Sequence, residues 1–295
     1  MTNKILIPVD FQKQSLLALL HSYALARSIQ AEIVLLYVHE QPGIFAGLFS
    51  KDQHTELLSK IDEKLAELAG KTSLISGLKI TFRVEKGRIY TKILDVARET
   101  EAAYIIMGTH SADEADEEKG QELRVGANAS KVIRSATCPV ITLTTKHPYN
   151  GCRNILLPLD LTKETKQKVT KCIEIARIYG AGIKVVTAVR NKNDIGIHDK
   201  LLQQGQLVTN SITAAGIENT FEIIESKDEE NTLVPAILDY ASHQGDIDLI
   251  LILTQQEIGI VEYFVGSHAQ EFIRLSPIPV MSIIPEDTRP DSIFA

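Results

Sequence analysis

Short runs of apolar residues alternate along this chain with longer stretches in which apolar residues recur every third or fourth position. In the first half, the runs lie near residues 4–9, 32–38, 79–85, 103–107 and 139–144. The periodic stretches lie near residues 12–29, 52–74, 88–100 and 127–136. Because the runs are rich in Ile, Val and Leu without polar alternation, they predict parallel strands that crossover helices cover on both faces.

The second half repeats this order. Its apolar runs lie near residues 153–159, 183–189, 219–225, 248–253 and 279–284, and its periodic stretches near 163–179, 195–215, 231–243 and 267–275. Short motifs repeat as well, because ILIPVD at residues 5–10 returns as ILLPLD at 155–160, and VGANA at 125–129 returns as VGSHA at 265–269. A repeat of this length is a whole domain, so the sequence predicts a duplicated α/β domain.

A short segment rich in turn residues separates the two halves. We therefore predict a first domain at residues 1–146, a linker at 147–152, a second domain at 153–286 and a tail at 287–295. Each half has roughly the common domain size of about 100–150 residues, which is enough to bury its own core.

Composition restricts the classes of partner. Of the 295 residues, 44% are apolar and 23% are charged, as in an ordinary globular protein, and the formal net charge is −7 without a basic cluster. We therefore expect no nucleic-acid partner, since affinity for the phosphate backbone rests on clustered Lys and Arg. No apolar run approaches the roughly 20 residues that span a bilayer. Residues 1–4 pass directly into the first apolar run, so we expect no secretion by a signal peptide. We expect a cytoplasmic protein with no membrane partner.

The three cysteines, Cys138, Cys152 and Cys172, are odd in number and lack the C-x-x-C spacing. This pattern argues against a disulfide framework and against a cysteine zinc site. We expect buried or incidental thiols and no metal site.

Four features carry a family resemblance: a strand ending in Pro-Val-Asp at residues 8–10, Gly108 after the fourth strand, Gly126 at a helix start, and Cys-Pro-Val at 138–140. Their order, repeated in the second half, resembles the universal stress protein family in its tandem form. The resemblance implies a doubly wound five-stranded parallel sheet flanked by helices in each domain, the adenine nucleotide alpha hydrolase-like fold. It also implies a stress-response role, an ATP site in some members and none in others, and dimer contacts through the last strand.

The resemblance also suggests which positions would contact a nucleotide. In the first half these are Pro8, Val9, Asp10, Val38, Gly108, His110, Arg124, Gly126, Ala127 and Asn128. In the second half they are Asp160, Val189, Gly266, Ser267 and His268. Cofactor expectations are ATP or AMP with magnesium, or no cofactor at all.

Both halves depart from the Gly-x2-Gly-x9-Gly-[Ser/Thr] pattern of the relatives that bind ATP. In the first half, Ser111 replaces the second glycine, Ala127 replaces the hydroxyl residue, and an acidic insertion covers residues 112–121. We interpret that insertion as a solvated surface loop, with a magnesium-linked or regulatory role as the alternative, and Arg124 would offset part of its charge. In the second half, Leu253 and Gln256 occupy the first two glycine positions.

Several of these positions have a simpler interpretation. Asp10 and Asp160 either lie beside a ligand or cap the next helix, because the carboxyl ends of parallel strands form the ligand crevice of such sheets. Val38 and Val189 match the same position in the second strand of each half. In the family the backbone of this position is near the adenine, but both residues could equally be ordinary core residues. His110 and His268 are isolated in sequence, so we expect incidental histidines rather than acid–base groups or metal ligands.

Three functions remain open at this point. The first is a stress-response regulatory protein that binds an adenine nucleotide in the first domain. The second is an enzyme such as a slow ATPase, although the sequence contains no Walker, nucleophile-elbow or zinc-protease motif, so we expect no enzyme. The third is a scaffold that binds other proteins without a nucleotide.

The last strand of each half would lie at an open sheet edge. An exposed apolar edge invites pairing with another strand. Because the linker directly follows the first of these strands, we predict that residues 140–143 and 280–283 pair antiparallel within one chain, about a pseudo-twofold axis. This pairing leaves a further homodimer open.

Overall fold

The structure is a computed structural model that describes residues 2–40, 51–109, 125–144, 151–159, 165–190, 195–226, 233–254 and 267–285. The predicted acidic loop, the tail, most of the linker and the second-half position Gln256 lie outside these residues.

Ten strands and eight helices alternate along the described chain. The strands are β1 (Lys4–Pro8), β2 (Glu32–His39), β3 (Ile80–Lys86), β4 (Ala102–Gly108), β5 (Val140–Leu143), β6 (Asn154–Pro158), β7 (Gly182–Val189), β8 (Asn219–Glu225), β9 (Leu249–Leu253) and β10 (Val280–Ile283). The helices are α1 (Lys13–Ser28), α2 (Lys51–Ser76), α3 (Ile89–Glu99), α4 (Ala127–Ser135), α5 (Thr165–Tyr179), α6 (Ile195–Ala214), α7 (Val234–Gln244) and α8 (Ser267–Leu275).

Each half is a five-stranded parallel sheet, as the sequence predicts. The strand order across the whole molecule is β3-β2-β1-β4-β5-β10-β9-β6-β7-β8. In the first half the chain moves outward from β1 to β3 and then returns to β4 on the other side of β1. The β1–β4 boundary is therefore the topological switch point, where open α/β sheets bind their ligands.

The antiparallel pairing of the two last strands is confirmed. Val280 lies opposite Thr142, Met281 opposite Ile141, and Ser282 opposite Val140. The Thr142 hydroxyl also donates a hydrogen bond of 3.2 Å to the carbonyl oxygen of Val280. The two five-stranded sheets therefore form one ten-stranded sheet, with the pseudo-twofold axis passing between Ile141 and Met281.

Two apolar layers cover the two faces of this sheet. One packs α1 and α2 of the first half and α5 and α6 of the second against residues such as Ile7, Ile141 and Met281. The other packs α3, α4, α7 and α8 against residues such as Leu6 and Val280. Helices on both faces make each half doubly wound.

The outermost strands differ from the sequence expectation. In β3 only Ile80 is buried, and in β8 exposed and half-buried residues alternate for much of the strand. The prediction of strands buried on both faces is thus wrong for these two. They lie at the ends of the sheet order, so each has a strand neighbour on one side alone.

Candidate functional site

The first half contains a cleft of about 250 Å³ at its topological switch point. Its walls come from the carboxyl ends of three neighbouring strands and from the starts of α1, α3 and α4. The lining comprises Pro8, Val9, Asp10, Ser15, Leu36, Tyr37, Val38, Ile89, Ile93, Met107, Gly108, Thr109, Gly126, Ala127, Asn128 and Ala129. Eight of the ten first-half positions suggested by the sequence thus surround one cavity.

The carboxylate of Asp10 is exposed at the cleft and is held by the start of α1. Its Oδ1 accepts hydrogen bonds from the backbone N–H of Gln12 at 2.9 Å and from the hydroxyl of Ser15 at 2.6 Å. Asp10 therefore orders the entry into α1 and lines the cavity, and its place beside a ligand stays a prediction. Sequence reasoning missed Ser15, which its spacing of five residues from Asp10 does not reveal.

The turn between β1 and α1 is strained at Phe11, whose φ is +62°. A non-glycine residue in this left-handed region costs roughly 1–3 kcal/mol and persists only when its surroundings fix it. Here the ring of Phe11 packs 5.7 Å from the ring of Tyr37, and Lys64 Nζ lies 5.8 Å from its centroid. This packing fixes the turn that presents Asp10.

The N-terminus of α4 opens directly into the cleft. Its N-cap residue is Gly126, which has no side-chain cap, and no acidic residue lies in the first turn. The backbone N–H groups at the start of a helix lack intrahelical partners, and the helix dipole makes this end positive. An anion entering the cleft would therefore meet free donors near Ala127 and Asn128.

Thr109 joins the elements around this helix start. Its backbone N–H donates to the carbonyl oxygen of Leu143 at 3.1 Å, while its own carbonyl accepts from the N–H of Gly126 at 2.8 Å. The end of β4, the end of β5 and the start of α4 are thus linked through one residue. Sequence reasoning missed Thr109, although its repetition as Thr254 in the second half was a usable signal.

Gly108 serves a purpose that the sequence does not reveal. A Cβ at this position would lie 2.7 Å from Cβ of Gln14 and 2.9 Å from its Oε1. Gly108 lines the cleft, and the space that its side chain would take is filled by Gln14 in the first turn of α1. Its small size therefore lets α1 pack close to the end of β4.

Strand register identifies the equivalent positions of the second half. Gly108 pairs with Leu143 across β4 and β5, and Leu253 pairs with Ile283 across β9 and β10. The N–H of Thr254 donates to the carbonyl oxygen of Ile283 at 2.9 Å, just as the N–H of Thr109 donates to the carbonyl oxygen of Leu143. Leu253 thus occupies the position of Gly108, in agreement with the sequence alignment of the two halves.

The sequence match between Val38 and Val189 is wrong by one residue. Pro8 pairs with Leu36 and Pro158 with Val186, so the position of Val38 corresponds to Ala188. Val189 corresponds instead to His39. The carbonyl oxygen of Val189 accepts a hydrogen bond from the N–H of Ser226, and that of His39 accepts one from the N–H of Gly87. The match followed residue type, whereas the hydrogen-bond ladder sets the register.

Most of the other suggested positions lie outside the residues that the structure describes. His110, Arg124, Asp160 and Gly266 lie outside the described residues. Ser267 begins α8, and His268 follows it as an exposed residue. Among the described residues, no group of three or more His, Cys, Asp or Glu side chains is arranged to hold a metal ion. No helix in the described part of the chain has the length and apolar character to cross a membrane.

Burial sets the chemistry of the three thiols. It raises the pKa of Cys138 to about 11, and it raises the pKa of Cys152 to about 12 together with the nearby charge of Asp248. Burial also raises the pKa of Cys172, which lies in the core. A thiol held protonated in this way is a poor nucleophile.

Known proteins share the sequence pattern of this chain. The model of the universal stress protein family matches residues 1–143 and again 151–283. The chain belongs to the universal stress protein family. Curated relatives include a universal stress protein of Methanocaldococcus jannaschii, 28% identical over 143 residues that cover 48% of this chain and 81% of the relative. A Mycobacterium bovis member is 24% identical over 226 residues, which cover 70% of this chain and 73% of that member.

Two solved structures share the whole architecture. A universal stress protein from Archaeoglobus fulgidus matches with a TM-score of 0.71 at 19% identity, covering 97% of each chain. A protein from Pseudomonas aeruginosa PAO1, described as functionally unknown, matches with a TM-score of 0.66 at 16% identity, covering 97% of this chain and 94% of its own. At this level of identity the likeness establishes the tandem fold.

Proposed function

We propose that this universal stress protein is a stress-response regulatory protein that binds an adenine nucleotide in the cleft of its first half. The main support for this proposal is that an apolar cavity lies next to an uncapped helix N-terminus at the topological switch point of the sheet. Ligand sites are typically apolar clefts with a few convergent polar groups, and this is the chemistry of a nucleotide, which has a planar base at one end and phosphate at the other.

Each part of the nucleotide has a matching surface. Val38, Ile89 and Met107 offer apolar area to the base. Asp10 offers a carboxylate oxygen to ribose hydroxyl groups. The first turn of α4, at Ala127 and Asn128, offers backbone N–H groups to a phosphate. Without a cap of its own, this helix start gains a hydrogen-bond partner when the phosphate binds.

We propose binding rather than turnover, with magnesium entering as a phosphate-bound ion and not through a protein cage. The described lining contributes one carboxylate, Asp10, and its Oδ1 is engaged by Gln12 and Ser15. A cation with so few protein ligands would keep most of its waters, as magnesium commonly does when it accompanies phosphates.

The decisive experiment is isothermal titration calorimetry with AMP, ADP and ATP, with and without magnesium. The blocking variant is Gly126→Val, whose backbone at φ −57° and ψ 144° accepts a β-branched residue without strain. Its side chain would cover the helix N-terminus, so we expect affinity to fall at least about tenfold, roughly 1.4 kcal/mol. Gly266→Val makes the matched change in the second half and should leave binding intact.

Two results would contradict the proposal. If the parent binds none of the three nucleotides, and native mass spectrometry of freshly purified protein shows no added nucleotide mass, the protein-scaffold function is favoured. If Gly266→Val abolishes binding and Gly126→Val does not, the site lies in the second half. Phosphate release from ATP, measured in the same samples, separates a slow ATPase from a binding protein.

A further inference from the structure

Two cationic side chains lie beside an aromatic ring where α3 and α4 meet. Lys131 Nζ lies 4.5 Å from the ring centroid of Tyr90, and Arg88 stands at the N-cap of α3, two residues before Tyr90. Arg88 and Lys131 are exposed and Tyr90 is half-buried. We call these three residues the cationic rim. The rim is a local positive feature on a chain whose formal net charge is −7.

The rim residues do not line the cavity themselves, but they are close in sequence to residues that do. Ile89, between Arg88 and Tyr90, lines the cavity, and so does Asn128 on α4. Lys131 is three residues beyond Asn128, which corresponds to a rise of roughly 5 Å along the helix axis. A group that leaves the cleft between the two helices would therefore meet the rim within about one helical turn.

The Tyr90 phenol responds to the groups around it. Hydrogen bonding with Thr91 and Arg88, and the charge of Lys131, together lower the pKa of the Tyr90 phenol. The Lys131 ammonium group lies over the ring face, and the Arg88 side chain is hydrogen-bonded with the phenol. Arg presents several donors at once and is well suited to phosphate oxygens.

Among the described residues of the second half, the starts of α7 and α8 do not repeat the rim. With the starts of α3 and α7 superposed, and likewise those of α4 and α8, the corresponding residues are Leu233, Pro235 and Glu271. Two cations and a phenol are thus replaced by two apolar residues and one carboxylate. The rim therefore occurs on the half that holds the described cleft and is not a general requirement of the fold.

We propose that Arg88 and Lys131 bind a second phosphate of the nucleotide, beyond the phosphate held at the start of α4. This inference rests on the proposed nucleotide site. A cleft of about 250 Å³ is small beside the roughly 300–1,000 Å³ of typical ligand pockets, so the outer part of a nucleotide diphosphate must leave it. The rim offers opposite charge along one exit, and the cleft and rim together favour ADP or ATP over AMP.

The test compares AMP with ADP by calorimetry, for the parent chain, Arg88→Met and Lys131→Met. Each variant should weaken ADP binding by about two- to fivefold, as expected for an exposed charge pair, and leave AMP binding unchanged. The loss should shrink as salt rises, because exposed charges are screened over about 8 Å at physiological ionic strength. Arg98→Met removes the same charge from the other end of α3, where Arg98 pairs with Asp95, and should change neither affinity.

The outcomes separate this inference from the proposed function. If the parent binds AMP and ADP equally and neither variant changes the ratio, the rim has no phosphate role although the nucleotide site stands. If both variants weaken AMP and ADP together and lower the melting temperature, the rim is a structural clasp between α3 and α4, and the inference is wrong. If the parent binds neither nucleotide, the proposed function itself fails.

Discussion

The ends of β4 and β9 have the same backbone hydrogen bonds but different side chains. Thr109 and Thr254 donate to the last residue of the neighbouring strand in the same way, yet the residue before them is Gly108 in one half and Leu253 in the other. The glycine admits the first turn of α1, while a half-buried leucine occupies the corresponding position of the second half. The backbone that specifies the fold is thus retained while the surface that would meet a ligand diverges.

The largest effect should follow from separating the two halves at their shared strand pair. Ile141 is buried and lies opposite Met281 on the pseudo-twofold axis, so Ile141→Pro disrupts both the ladder and the packing. We expect the free energy of unfolding to fall by about 3 kcal/mol or more. Urea unfolding measures the loss, and limited proteolysis of the linker reports whether the halves separate.

Ile141→Ala is the control for that change, because it removes the side chain and keeps the backbone donor. It should cost about 2–4 kcal/mol without exposing the linker to protease. A proline variant as stable and protease-resistant as the alanine variant would show that the halves do not depend on this ladder.

A somewhat smaller loss should follow from Asp248→Ala, which affects the second half. Its carboxylate is buried and accepts from the backbone N–H of Arg153 at 2.7 Å and from the guanidinium Nε at 3.2 Å. Removing it leaves a backbone donor unsatisfied, so we expect a loss of about 1.5–3 kcal/mol in urea unfolding. The equivalent position of the first half is Ala103, and Ala103→Gly is a control that should not reproduce this loss.

Gly108→Leu copies the second half into the first and tests the comparison directly. Its Cβ would overlap Gln14, and overpacking of this kind costs about 1–3 kcal/mol. We also expect nucleotide affinity to fall, because the start of α1 must move and it carries Ser15, the partner of Asp10. Gln14→Gly in the same chain should restore part of the stability in a thermal melt. No recovery would mean that Gln14 is not the obstacle.

The smallest effect concerns a buried carboxylate of the first half. Burial alone would raise the pKa of Glu32, but hydrogen bonds from Lys79 and Thr81 outweigh it and the pKa is lowered from 4.5. A lowered carboxyl pKa stabilises the fold above the unfolded pKa, and this stability is lost as pH falls through the folded value. Because the Lys79 end of the pair is exposed, we expect less than about 1 kcal/mol from it.

As pH falls below 4.5, protonation of Glu32 lowers the unfolding free energy of the parent. Glu32→Gln cannot be protonated in this way and should show a smaller decrease, whereas at pH 7 it should differ from the parent by a constant offset. The equivalent residue of the second half is Gly182, which has no side chain to titrate. An acid-unfolding curve with the same slope in parent and variant would show that Glu32 does not contribute.

The sequence was sufficient for the architecture because strand and helix periods are local properties. The run predicted at residues 219–225 coincides with β8. The antiparallel pair of last strands was predicted from their apolar edges together with the dimer contact that the family resemblance implies. The details of the site were less accessible. Gln14 is far from Gly108 along the chain, so their contact depends on how α1 crosses β4. The match of Val38 with Val189 failed because identical residue types do not fix strand register.

The strand pair on the pseudo-twofold axis also bears on how the molecule evolves. In a symmetric assembly of two identical chains, every substitution appears in both copies, so neither copy can change alone. Here the pairing of Ile141 with Met281 lies within a single polypeptide, and each half has its own coding sequence. One half can therefore lose or exchange residues at its strand ends while the other retains them, and natural selection can act on the two halves separately.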